Sequence, residues 1–138
     1  QAVQWLAFAS NAFNTLVPFY AAVDETPEYL ANTTKEVSTG NFYWSARMIA
    51  AMADASFAKS AIHIERYQNA VQAKGHALLR KYDAEAAKIT DPAESRRLLE
   101  KANREIAKML KEETGNTLDH VLFELSNSMK NAFSRSDA

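Results

Sequence analysis

The sequence predicts a mainly α-helical chain with one or two β-strands at its start, and three observations carry that reading. Residues 1–9 are apolar on both alternating faces, as expected of a central strand covered above and below. From about Asn41 onward, apolar residues recur every three or four positions, the spacing of helices with one buried face. Between two such stretches stands Asp91-Pro92-Ala93-Glu94, a compact helix-start signal.

Taken in order, the opening strand gives way to the polar break Ser10-Asn11-Ala12-Phe13-Asn14-Thr15, whose short side chains bond their own backbone. Leu16-Val17-Pro18-Phe19-Tyr20 is a second extended candidate, and Pro18 marks it as an edge strand or an ordered loop. Asp24-Glu25-Thr26-Pro27 forms a turn or a cap, with Pro27 at the first position of a short helix through Leu30. Residues 32–40 are a polar loop.

Ser38, Thr39 and Asn41 are available to cap a helix over residues 41–59, whose stripe is Trp44, Met48, Met52 and Ala55, widened by Phe42 and Ile49. Ser60 is the expected cap of a longer helix to about Lys88, striped by Tyr67, Val71, Gly75, Leu78, Tyr82, Ala86 and Ile89. Gly75 lies on that stripe, where the lack of a side chain permits another backbone to approach closely. Asp91 caps the next helix, which carries Leu98, Leu99, Ala102, Ile106 and Leu110 and is expected to stop at Gly115. A last helix from Asn116 or Thr117 would bury Leu118, Val121, Leu122, Leu125, Met129 and Phe133, before a frayed tail over residues 134–138.

The 138 residues form one segment, with residues 1–20 as its strand region and 41–133 as its helices. An apolar content of 47 % excludes a disordered chain. With 16 basic and 17 acidic residues interleaved, no positive stripe for nucleic acid stands out. The apolar runs fall short of the roughly 20 residues a membrane span needs. With no cysteine, disulfides, zinc–thiolate sites and a thiol nucleophile are excluded within this chain. An apolar strand followed by helices has few partners for its backbone, and each unpaired buried amide costs about 1–3 kcal/mol. We therefore expect the chain to be the C-terminal piece of a larger α/β protein.

Chemistry is sparse. His63 and Glu65 stand two apart and point in different directions, while His76 and His120 are read as having no acidic or histidine partner at ligand spacing, so no metal or cofactor site is expected. Glu112 and Glu113 are expected at a solvated, salt-bridged helix end, and the alternating charges from Arg80 to Glu113 at a solvent face. Phe42-Tyr43-Trp44 spans most of a helix circumference, so at least one ring should face another part of the protein or a substrate pocket. Asn11 and Asn14 follow the opening strand, where ligand-contacting groups collect in α/β folds, and an amide there can donate to a carbonyl or an oxyanion. They are the candidate substrate contacts.

Several stretches occur in the order of one family. They are Gln4-Trp5-Leu6-Ala7-Phe8-Ala9-Ser10-Asn11, Phe13-Asn14-Thr15-Leu16-Val17-Pro18-Phe19-Tyr20, Val23-Asp24-Glu25-Thr26-Pro27, Asn41-Phe42-Tyr43-Trp44 and Arg47-Met48-Ile49-Ala50-Ala51-Met52-Ala53-Asp54, with Met129-Lys130-Asn131-Ala132-Phe133-Ser134-Arg135-Ser136-Asp137-Ala138 at the close. The set resembles the C-terminal third of bacterial cysteine dipeptidases of dipeptidase A type, which are N-terminal-nucleophile hydrolases.

The resemblance implies a parent about three times this length with an αββα sandwich, in which a cysteine at the mature N-terminus attacks the peptide carbonyl and its own α-amine is the base. It implies dipeptide substrates, a missing N-terminal part as partner, a homo-oligomer and a cytoplasmic setting. No catalytic residue is carried onto this chain, and the piece alone is expected to be inactive. A free-standing helical interaction module without catalysis is the rival reading; the pairing of the opening strand is the feature expected to separate the two.

Overall fold

The computed structural model describes residues 2–7 and 12–129, and its order is β1 (Val3–Leu6), β2 (Val17–Tyr20), α1 (Glu28–Ala31), α2 (Phe42–Ala55), α3 (Phe57–Ala86) and α4 (Pro92–Asn127). The strands form an antiparallel ribbon in which Val3 faces Tyr20 and Leu6 faces Val17. The Ala21 amide donates to the Ala2 carbonyl at 3.0 Å, so by alternation Pro18 and Tyr20 turn their backbone groups away from β1. Pro18 therefore stands where a missing N–H costs no ladder bond.

The free side of β2 is closed by a side chain. Asn103 of α4 accepts from the Tyr20 amide through Oδ1 at 2.8 Å and donates through Nδ2 to the Tyr20 carbonyl at 3.0 Å. Its carboxamide stands in for a third strand at that residue. All four residues of β2 are buried, because α3 and α4 both pack against it.

This reverses the expected roles of the strands. Among the described residues β1 pairs only with β2, and Gln4 and Trp5 on it are exposed. Hydrophobicity marks a segment that wants cover, but not which segment obtains it. The segment with proline is the inner one.

α1 follows Pro27 instead of starting on it; the Pro27 carbonyl accepts from the amides of Leu30 and Ala31. Asn41 caps α2, its Oδ1 accepting from the Trp44 amide at 3.0 Å. The buried face of α2 is Phe42, Ser45, Ala46, Ile49 and Ala53, rotated from the expected stripe of Trp44, Met48, Met52 and Ala55. Small residues let α2 lie close to α4, so the bulkier Trp44, Met48 and Met52 flank the contact half-buried while Ala55 is exposed.

α3 starts at Phe57 with Ser56 before it, so Ser60 is not a cap but a buried residue of the helix. Its inner face is Tyr67, Val71, Gly75, Tyr82 and Ala86, as the spacing predicts, with Leu78 at its margin. Gly75 seats Pro18: a Cβ there would stand 3.1 Å from Pro18 Cδ.

At the start of α4, Asp91 Oδ2 accepts from the Glu94 amide at 3.1 Å and Pro92 occupies the first turn. The expected break at Gly115 is absent from the described residues, and α4 runs 36 residues without interruption. The reason is packing. Thr114 Oγ1 meets Tyr67 Oη of α3 at 2.9 Å, and Val121 beyond the glycine is fully buried. A helical glycine costs about 1 kcal/mol relative to alanine, less than burial of one such side chain returns.

α3 and α4 run antiparallel, tied by pairs from His63–Glu124 at one end to Lys81–Glu105 at the other. No described helix is long and apolar enough to cross a membrane. The expected tail and Phe133 lie outside the described residues.

Candidate functional site

The turn after β1 leads to a cavity of about 240 Å³ lined by Ala7, Asn14, Thr15, Leu16 and three residues of α3, Gln68, Asn69 and Gln72. Asn14 and Thr15 are each only 2 % exposed. The Asn14 carbonyl accepts from Gln68 Nε2 at 2.9 Å, and Thr15 Oγ1 donates to the Leu16 carbonyl at 3.2 Å. Phe13 meets Phe57 edge to face with centroids 6.0 Å apart, fixing the turn to the first turn of α3.

Of the two candidate residues, Asn14 stands in this cavity and Asn11 lies outside the described residues. The α3 carboxamides were not singled out from sequence. Their signal is the polar group Gln68, Asn69 and Gln72 flanking Val71, which reads as a solvent face until β2 is laid beside it. The cavity offers amide donors and acceptors and one hydroxyl, with no titratable side chain on its wall. Such a set can orient a peptide backbone but cannot move a proton or attack a carbonyl.

The histidines differ from expectation. His63 Nε2 stands 3.3 Å from Glu124 Oε1, and the His63 and His120 rings stack at 4.9 Å and 14°. His120 does have an acidic residue at ligand spacing, contrary to expectation: Glu124 lies four residues on along α4, and α3 brings His63 across to both. His120 Nδ1 lies 2.7 Å from the Asn116 carbonyl, which can only accept, so that nitrogen carries a proton. Among the described residues no three His, Asp or Glu side chains are grouped to hold a metal ion. His76 packs its ring against Trp5 at 5.2 Å.

The remaining candidates resolve into structure. Glu113 pairs with Lys74 in the middle of α4 instead of at a helix end, and Glu112 is exposed. Phe42 is buried beside Tyr29, while Tyr43 and Trp44 meet at 5.2 Å under the Arg47 guanidinium. Trp44 Nε1 donates to the Thr34 carbonyl at 2.6 Å. These rings find partners within the chain, and none lines the carboxamide cavity.

Three tyrosines fasten the helices around β2. Tyr20 Oη donates to Asp83 Oδ1 at 2.8 Å, and burial first, then that carboxylate, raises its phenol well above the ordinary range. Burial raises Tyr67 strongly, partly offset by its bond to Thr114. Burial and the neighbouring Glu105 carboxylate push Tyr82 up to about 12.

Comparison with known proteins follows the same outline. The sequence pattern of peptidase family C69 matches residues 1–70, the stretch that holds β1, β2, the cavity turn and its Gln68–Asn69 wall. A dipeptidase of Bifidobacterium longum is 37 % identical over 99 % of this chain and 33 % of its own length. A probable dipeptidase A of Streptococcus pyogenes is 41 % identical over 99 % of this chain and 28 % of its own. A probable dipeptidase B of Lactococcus lactis shares 40 % identity over 55 residues. The chain thus spans about a third or less of the length of the curated relatives that cover it.

Proposed function

The chain belongs to peptidase family C69, and from that premise we propose that it forms the C-terminal part of a cysteine dipeptidase. The observation that carries the reading is the alignment of nearly the whole chain with dipeptidases about three times longer. The outer edge of β1 supports it too. Among the described residues that edge has no strand beside it, and Trp5 and Leu16 are exposed, as suits a ribbon placed within a wider sheet.

In this reading the nucleophile belongs to sequence outside this cysteine-free chain. A cysteine thiolate adds to the scissile carbonyl, its α-amine takes the thiol proton and returns it to the leaving amine, and water then releases the acyl group. This chain contributes binding. Asn14 and Thr15, with Gln68, Asn69 and Gln72, offer hydrogen bonds to a short peptide backbone, while Asn103 and Gly75 seat β2, which follows the turn, against the helices. The working enzyme would be a cytoplasmic homo-oligomer, and the 138 residues alone would not hydrolyse peptides.

The test is the intact mass of the native protein, measured beside dipeptide hydrolysis by that sample and by the purified 138-residue chain. A species about three times heavier, active and inhibited by a thiol alkylator, with an inactive short chain, is the expected result. A native species of this size without peptidase activity overturns the reading and leaves a helical interaction module.

A further inference from the structure

Away from the carboxamide cavity, the Glu25–Tyr29 segment and the outer face of α4 enclose a cleft of about 470 Å³. Its volume falls within the roughly 300–1,000 Å³ typical of small-molecule sites. Arg104, Lys108 and Lys111 stand on one side, spaced four and three apart and so aligned on one face of the helix. Glu25, Glu28 and Glu100 face the same space. Tyr29 lies at its base, 8 % exposed, with Lys111 Nζ 5.9 Å from its ring centroid.

These six charges share a cleft, yet among the described residues none makes an ion pair. Elsewhere on α4 the carboxylates do pair, with lysines of α3, as in Lys74–Glu113 and Lys81–Glu105. The cleft thus holds its cations and carboxylates further apart than a direct contact. That separation suits a ligand carrying both signs of charge itself.

We propose that this cleft binds a small zwitterion of the amino-acid or short-peptide class. The ligand carboxylate faces Arg104, Lys108 and Lys111, its ammonium faces Glu25 and Glu28 on the opposite wall, and its side chain rests on Tyr29, while Glu100 continues the α4 stripe one turn before Arg104. A simple anion would leave three carboxylates facing it, and a simple cation would meet three like charges. An extended dipeptide spans about 7 Å, at 3.3–3.6 Å per residue, and a free amino acid about half that. The site shares no lining residue with the carboxamide cavity, and the inference does not depend on the dipeptidase reading.

The experiment is a backbone-amide NMR titration of the 138-residue chain with leucine, glycyl-leucine, N-acetyl-glycyl-leucine and glycyl-leucine amide. The expected result is saturable shifts on residues 25–29 and 100–111 for leucine or glycyl-leucine, whichever binds tighter identifying the source. Each blocked peptide should bind at least about tenfold more weakly, since each has lost one of two charge contacts. Lys108→Gln and Glu28→Gln, both at exposed positions, should each weaken zwitterion binding about fivefold or more while leaving the circular dichroism spectrum unchanged. Equal binding of blocked and free peptides, shifts centred on Asn14 and Gln68, or no saturation by about 20 mM overturns the proposal.

Discussion

The α3–α4 pair has a middle and an outer end, and the same apolar spacing has opposite fates in the two. In the middle, Tyr67, Val71, Tyr82, Leu99, Ile106 and Leu110 are almost completely buried because β2 lies against the pair and α2 covers α4. At the outer end, where α3 begins and α4 ends, Phe57 is 59 % exposed, Leu122 52 % and Phe123 63 %. His63, His120 and Glu124 also cluster there. A two-helix contact buries one narrow stripe on each partner, and only a third layer hides the flanks. Apolar periodicity therefore states what a helix face can bury, while the surrounding elements decide what it does bury.

Substitutions can break this contrast. Leu110→Ala in the middle should cost about 2–5 kcal/mol through lost burial and the cavity left behind, read by urea denaturation. Asn103→Ala should cost about 2–4 kcal/mol, because both backbone groups of Tyr20 lose their partner at once. Hydrogen exchange at the Tyr20 amide should rise along with it. If exchange there is unchanged, the carboxamide is not what closes β2.

The middle also holds the groups that make the fold sensitive to alkali. The folded-state pKa of Tyr82 is raised to about 12, and Tyr67 is raised as well, so the neutral phenol is the form that folding favours. Their contribution is complete below the unfolded value of about 10 and is lost as pH rises through the folded value. Stability should therefore fall steeply from about pH 10 to about pH 12. Tyr82→Phe should make that fall shallower, seen in urea midpoints across the window.

Smaller effects sharpen the comparison. Gly115 has open space around the position of a Cβ, so Gly115→Ala should stabilise by about 0.5–1 kcal/mol through helix propensity. Gly75→Val, crowding the Pro18 ring, should instead destabilise by about 1–3 kcal/mol. Leu122→Gln at the outer end should change stability by no more than about 0.5 kcal/mol. A large loss there would mean that the outer end is covered in solution.

Much of the site was half-legible. Asn14 could be singled out because short polar residues after an apolar strand have a defined use, but its companions Gln68, Asn69 and Gln72 are 54 or more positions away in sequence. The closing of β2 by Asn103 was not legible either, because the two residues are 83 positions apart and an asparagine inside a helix carries no mark of its partner. The His120–Glu124 spacing was present in the sequence, and only the approach of His63 gave it meaning.

By itself, the sequence determined the helical class, the cap at Asp91, the inner face of α3 and the room for a close approach at Gly75, while Asn41 was one of three caps it offered for α2. These are set by periodicity and by capping chemistry, which act within one or two helical turns. Its ordered motifs also pointed to the peptidase family that residues 1–70 match. Only the tertiary structure decided which strand is covered, how α2 is rotated, that α4 continues through Gly115 and which charges share a cleft with no ion pair among them. Each of those outcomes is a competition among surfaces distant in sequence, and local propensities of about 1 kcal/mol yield to the larger free energy of burial.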